Sequence, residues 1–301
     1  MLLLQQMLVL LIYMMLGLFG AKKGVLNSQS AKTFSWMVIN AANPALIILP
    51  TMNKQTQLSG RQVAEALTLA GIVYVVLIIL AYAVTRIMKI PQEERSLYQL
   101  MLIFNNIAFM GFPIVEAAYG SDALLYAALF TLPFSLLIYT YGIFLIAQGK
   151  EKIQLRNIWN IGVAAVLIAI AMLVIHPNVP KVIITALTGI SNLTGPLSMI
   201  VIGISLSQMR LRELFCDVRL LVFSAIKLLV IPIIGTLAIV QVLDNELLCR
   251  VCMIMLGTPA ASMVVMLAQT YDGDFELASR GIALTTLLSV ATIPLVSAIV
   301  F

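Results

Sequence analysis

The sequence predicts an all-α polytopic membrane protein of ten transmembrane helices, arranged as two inverted five-helix repeats with broken, crossing helices 4 and 9. Three observations lead there. Hydrophobic residues make up 61% of the 301-residue chain and charged residues only 10%, where a soluble domain carries about 25% charged residues. Apolar runs of about 20 residues, enough to span a bilayer, recur along the chain. Prolines also recur at matching places in its two halves. The mean hydropathy of +1.06 agrees with a chain built for lipid.

The expected spans are residues 2–20, 33–52, 63–86, 98–118, 123–147, 157–175, 181–206, 218–241, 247–269 and 276–300. Short polar stretches such as AKKGVLNSQSAK, RIMKIPQEER, GKEKIQLR and RLRELFCDVR separate them. The first run lacks the basic leader and small-residue cleavage site of a signal peptide. Lys22 and Lys23 follow it rather than precede it, so it is read as a span.

Basic residues orient the chain. Alternate loops hold Lys22, Lys23, Lys32, Arg86, Lys89, Arg95, Lys150, Lys152, Arg156, Arg210, Arg212, Arg219 and Arg280. The opposite loops and helix ends hold only Lys54, Arg61, Lys181 and Arg250. Lys and Arg collect on the cytoplasmic side, so both termini are expected outside the cytoplasmic membrane. The net charge of +5 is read as topology. The lipid bilayer is thus an expected partner and nucleic acid is not.

Cys249 and Cys252 form C-R-V-C at the start of an apolar segment, with no second cysteine pair or histidine for a metal, and read as small helix residues. Cys216 stands apart, and His176, in HPNVP, reads as a loop residue. No hydrolase, kinase or metal motif occurs, so neither an enzyme nor a resident cofactor is expected.

Ten spans divide into residues 1–150 and 151–301, and five being odd, the second half enters the membrane inverted. NAANPALII in span 2 and NLTGPLSMI in span 7 each place Asn four residues before Pro. Pro44 and Pro196 lie 152 residues apart, and Pro113 and Pro259 lie 146 apart. Spans interrupted by Gly or Pro at corresponding places in inverted halves point to a transport site. Non-helical backbone is tolerated at that depth only inside protein or beside a water-filled cavity.

The stretch NNIAFMGFP puts Asn105, Asn106, Gly111 and Pro113 in span 4, and GTPAAS puts Gly257, Thr258, Pro259, Ala260 and Ser262 in span 9. Breaks near Gly111–Pro113 and Gly257–Pro259 are expected. Half-helices starting there would present free N–H groups and about half a positive charge each. The asparagine amides add donors, giving an anion site without a formal cation. Asn43, beside Pro44 in span 2, joins the candidate set. Taken alone, Pro44, Pro133, Pro232 and Pro294 read as packing kinks.

In these residues the chain resembles the auxin efflux carrier family, which includes plant PIN proteins and many bacterial organic-acid permeases. Asn106, Phe109, Met110, Gly111, Phe112 and Pro113 fit its span 4 pattern N-x-G-[FY]-x-G-x-P, with Ala108 in place of the first glycine. AAYGSDALLYAALF continues the match, and span 2 and span 9 are similar to the family's second and ninth helices. Plant members carry a second span 9 proline where Val264 stands. The resemblance implies the fold of sodium/bile-acid symporters and sodium/proton antiporters. Spans 1, 2, 6 and 7 would be a scaffold and homodimer interface, and spans 3–5 and 8–10 an elevator. It also implies that Asn106 contacts the substrate carboxylate.

Three charges stand near the site. Lys227 lies about eight residues, or roughly 12 Å, inside span 8. It reads either as functional or as snorkelling to the cytoplasmic surface. Glu65, near the outer end of span 3, resembles an acid that supports the family's site, but its usual lysine partner is Leu69 here. Glu116 lies one turn past Pro113. No Asp or Glu lies deep in a span, which disfavours proton coupling through a buried carboxylate.

An inside-negative potential is worth about 2.3 kcal/mol per charge per 100 mV, enough to drive a monovalent anion out unaided. The expected function is therefore a secondary carrier of small organic anions, auxin-like or mono- and dicarboxylic. Sodium remains open as a coupling ion, through backbone carbonyls, in a bile-acid-type symporter. The third reading is a ligand-binding membrane sensor without flux.

Overall fold

The computed structural model describes residues 2–52, 58–147, 159–175, 177–208, 214–271 and 273–301. Lys54, Lys150, Lys152, Arg156, His176, Arg210 and Arg212 lie outside them. In chain order the helices are α1 (Leu2–Lys22), α2 (Ser28–Met52), α3 (Gly60–Ile87), α4 (Gln92–Ile103), α5 (Phe112–Leu129), α6 (131–146) and α7 (Ile161–Ile175). They continue as α8 (Lys181–Ser207), α9 (Val218–Val240), α10 (Glu246–Gly257), α11 (Met263–Thr270) and α12 (Phe275–Val300).

Seven helices among the described residues are long and apolar enough to cross a membrane, and α7 is a shorter apolar helix. Large apolar side chains cover the outside, including Ile12, Leu16, Ile72, Ile79, Ile234 and Leu295. A soluble monomer rarely exposes so continuous an apolar surface. The protein is an all-helical, multi-pass membrane protein.

Spans 4, 5 and 9 are not single helices, and span 7 turns at Asn192–Leu193, between Lys181–Ser191 and Thr194–Ser207. Span 4 is divided between α4 and α5, and span 9 between α10 and α11. A 40-residue helical stretch, Ile107–Ile146, joins the second half of span 4 to span 5. It turns at Gly120 (φ 81°, ψ −173°), a backbone conformation that costs glycine little.

Helix starts follow the sequence. Asn27, Ser59, Asp217, Asn245 and Asp274 each accept a backbone N–H from the first turn of the following helix, satisfying donors that a helix start leaves open. Three of the internal prolines act differently, while Pro50 and Pro294 sit within α-helices. Val38–Ala42, Ile107–Gly111 and Ile226–Val230 are π turns, and each ends two residues before a proline: Pro44, Pro113 and Pro232. A proline in a continuous helix collides with the carbonyl four residues earlier, here Asn40, Phe109 or Leu228. Widening that turn relieves the collision without ending the helix.

Several closely packed helix pairs result. α1 lies along Thr194–Ser207 of α8, and the second half of α2 packs on α7 and on Lys181–Ser191. Gly17 and Gly203 make the α1–α8 contact close, since a Cβ at either would overlap backbone atoms of Ile200 or Met14. Small residues permit this approach between membrane helices. Elsewhere α3 packs on α4, α10 on α5 and on the end of α9, and α11 on α12.

Candidate functional site

The two interrupted spans meet at their breaks. α4 ends at Ile103, Phe104 is extended (φ −98°, ψ 110°), and Asn105 forms an antiparallel bridge with Ala260. Asn106 N donates to the Pro259 carbonyl at 2.8 Å, and Ala261 N donates to the Phe104 carbonyl at 2.9 Å. Each broken strand thereby satisfies backbone groups of the other, as a dry interior requires.

The span 9 break falls where the sequence points. Gly257 is the last residue of α10, and Thr258 is extended (φ −68°, ψ 150°), because a residue before proline is pushed out of the helical region. The span 4 break does not fall at Gly111–Pro113. It lies at Phe104–Asn106, while Gly111 closes a π turn and Pro113 sits in the first turn of α5. Proline lacks an N–H that a first turn would leave unbonded anyway, so it opens a helix more readily than it closes one. Gly111 instead permits close approach: a Cβ there would lie 2.9 Å from Met255 Cε on α10.

The asparagines bring mainly donors to the crossing. Asn106 is buried; its Oδ1 accepts Phe109 N at 3.4 Å, and its Nδ2 has no hydrogen-bond partner. Asn105 Oδ1 accepts from Lys227 Nζ, and Asn105 Nδ2 has no acceptor among the described residues. Nor do the backbone N–H groups of Ala108, Ser262 and Met263, at the starts of the two half-helices. Asn43 donates from Nδ2 to the Ala108 carbonyl at 3.4 Å, leaving its Oδ1 buried and unpaired.

Other candidates are engaged or set apart. The Thr258 hydroxyl donates to Met255 O, and Ala260 N donates to Thr285 Oγ1. Ser262 is half-buried and caps nothing. Glu65 and Glu116 are half-buried, with no ion pair among the described residues. Cys249 and Cys252 are free, buried residues of α10.

Lys227 decides between its two readings. It is 1% exposed, and its ammonium donates to the Leu102 carbonyl at 3.3 Å and to Asn105 Oδ1. The snorkelling reading is overturned, because the side chain reaches inward to the end of α4. Leu102 O is one of the carbonyls a helix C-terminus leaves open, where the helix dipole favours a cation. The crossing therefore does contain a basic side chain, which the sequence reading had left out of the anion site.

Thr194, inside NLTGPLSMI, escaped notice as a candidate. It is buried with an unpaired hydroxyl, and a Cβ on neighbouring Gly195 would lie 3.7 Å from Pro113 Cβ. Among the described residues no group of three His, Cys, Asp or Glu is placed to hold a metal. A cavity of about 330 Å³ lined by Glu93, Glu94 and Asp274 lies at the N-terminal end of α4, away from the break. Arg219 there pairs with Glu94 at 3.3 Å.

An all-helical membrane protein with interrupted spans crossing beside unpaired polar groups has the build of a transporter, and the comparisons with known proteins agree. The sequence profile of the membrane transport protein family matches residues 2–162 and 150–297. The chain belongs to that family, the auxin efflux carrier family that its span 4 residues resemble. It is similar to an uncharacterized transporter of Methanocaldococcus jannaschii, 26% identical over 300 residues, covering 96% of each chain. It is also 26% identical over 297 residues to an uncharacterized transporter of Methanothermobacter thermautotrophicus, covering 96% of this chain and 95% of that one. The protein is a membrane transporter and not an enzyme.

Proposed function

We propose that the protein is a secondary carrier of small organic anions, holding a carboxylate at the crossing of the two broken spans. The observation that carries this reading is the buried, unpaired Nδ2 of Asn106. A buried donor without a partner costs about 1–3 kcal/mol, a cost that a bound carboxylate would relieve. The unbonded N–H groups of Ala108, Ser262 and Met263 surround the same breaks. Donors at half-helix starts favour an anion.

In this reading the chain makes ten passes as two inverted repeats, residues 1–150 and 151–301, with both termini outside the cytoplasmic membrane. α1, α2, α7 and α8 form the scaffold and homodimer interface. The remaining helices move as an elevator that carries Asn106 and the crossing. The close α1–α8 contact at Gly17 and Gly203 suits a rigid scaffold.

The sodium-coupled alternative has less support. Four carbonyls at the breaks each already accept one hydrogen bond, Leu102 from Lys227, Phe104 from Ala261, Asn105 from Ile107 and Pro259 from Asn106, which leaves each one lone pair fewer for sodium. The test is uptake of radiolabelled lactate, malonate and indole-3-acetate into proteoliposomes, in sodium and in choline buffer. The carrier reading expects uptake of at least one acid above protein-free vesicles, unchanged by choline. No uptake of any acid contradicts it.

A further inference from the structure

Lys227 carries a charge that the donor geometry of the crossing does not explain. Among the described residues no carboxylate lies within ion-pair distance of its ammonium. Both its contacts, Leu102 O and Asn105 Oδ1, are neutral acceptors. A buried charge in a membrane protein is costly and is ordinarily paired or placed in a functional path. The helix end at Leu102 supplies only a partial negative charge. Neither acceptor is an anion, so a protonated Lys227 has no counter-ion of its own there, and it is joined through one amide to the donors at the break.

The joint is specific. Accepting from Lys227 commits Asn105 Oδ1, so the polar group that the Asn105 amide has left is its Nδ2 donor. Asn106 follows directly, with its own unpaired Nδ2. Lys227 lies in the π turn of α9, which packs on α12 and on α10, the helix that leads into the span 9 break.

We propose that Lys227 is the fixed counter-charge of the transported anion, making the loaded site electrically neutral for a monocarboxylate and leaving the empty site at plus one. This rests on the carrier reading and names its substrate class: acids with one negative charge. Lys227 acts through Asn105 and is a positioning residue. The charge moved by the cycle then crosses the membrane on the empty-carrier step, not the loaded one.

The test is radiolabelled exchange at pH 7 in proteoliposomes, with saturating indole-3-acetate or lactate on both sides and the potential clamped by potassium and valinomycin. Under these conditions only the loaded carrier crosses. The wild-type exchange rate is expected to stay constant between 0 and 100 mV of either sign, while net efflux into acid-free medium changes several-fold. Malonate, as a dianion, is expected to exchange more slowly at either potential. Lys227→Met is expected to make monocarboxylate exchange slow several-fold under a potential of either sign, and Lys227→Arg to restore the flat response. A merely structural lysine would change rates without changing their dependence on potential.

Wild-type monocarboxylate exchange that slows under potential overturns the charge assignment while leaving the carrier reading intact. No exchange of any acid overturns the carrier reading itself. The wild-type arm remains decisive if Lys227→Met fails to fold.

Discussion

Asn43 and Asn106 hold the two sides of one peptide bond. Asn43, on α2, donates to the carbonyl of Ala108, and Asn106, at the break in span 4, accepts from the N–H of Phe109. The two groups belong to the same peptide unit in the π turn Ile107–Gly111. Each asparagine is left with one unpaired buried atom, an acceptor on Asn43 and a donor on Asn106. The turn that begins the second half of span 4 is thus fixed by one amide from α2 and one from the break itself, and the Asn106 Nδ2 still lacks an acceptor.

The hydroxyl of Thr194 is a third unpaired buried group beside this turn. Thr194→Val keeps the shape and removes the hydroxyl, so it is expected to leave the melting temperature unchanged or slightly raised. If the hydroxyl meets the bound acid directly or through water, acid uptake falls several-fold. Unchanged uptake with a raised melting temperature would assign Thr194 to packing alone.

Gly203 is expected to be intolerant for a reason unrelated to the anion. A Cβ there overlaps the Met14 carbonyl oxygen, a backbone atom that cannot turn aside. Gly203→Ala should therefore destabilise the protein by about 1–3 kcal/mol, the usual cost of overpacking. Thermal melting in detergent measures this. Gly189→Ala, where a Cβ meets nothing within 4 Å, serves as the tolerant control.

Pro232 shapes the turn that bears Lys227. Pro232→Ala would allow the π turn Ile226–Val230 to close into an ordinary α-helix. Losing one residue from the turn changes the helical register by about 100°, which would carry Lys227 away from Asn105. The variant is expected to melt at the same or a higher temperature and yet to transport several-fold more slowly. A variant as active as the wild type would mean that the π turn does not position the lysine.

Much of this was legible in the sequence, for identifiable reasons. Long apolar runs and the scarcity of charge give the membrane helices directly. The Asn-Asn pair and Thr258–Pro259 mark the two segments that cross, because amides and pre-proline backbone have few other uses at that depth. The position of the break in span 4 was not legible. Pro113 acts on the carbonyl four residues before it, inside the π turn Ile107–Gly111. The break itself is fixed by pairing with Pro259 and Ala260, which lie about 150 residues away in the chain. Lys227 was visible as a buried charge, but its direction depends on a side chain reaching a carbonyl on another helix. Thr194 stood in a quoted motif, and nothing in a sequence says that a hydroxyl will lack a partner.

The measurement that bears most directly on the carboxylate site is equilibrium binding of radiolabelled indole-3-acetate and lactate to the purified protein and to Asn106→Ala. Hydrogen bonds to charged groups are worth about 1.5–3 kcal/mol, and each 1.4 kcal/mol is about tenfold in affinity. Asn106→Ala is therefore predicted to bind at least tenfold more weakly while melting within a few degrees of the wild type. Equal affinity in the two proteins would contradict a carboxylate held at the crossing of the broken spans.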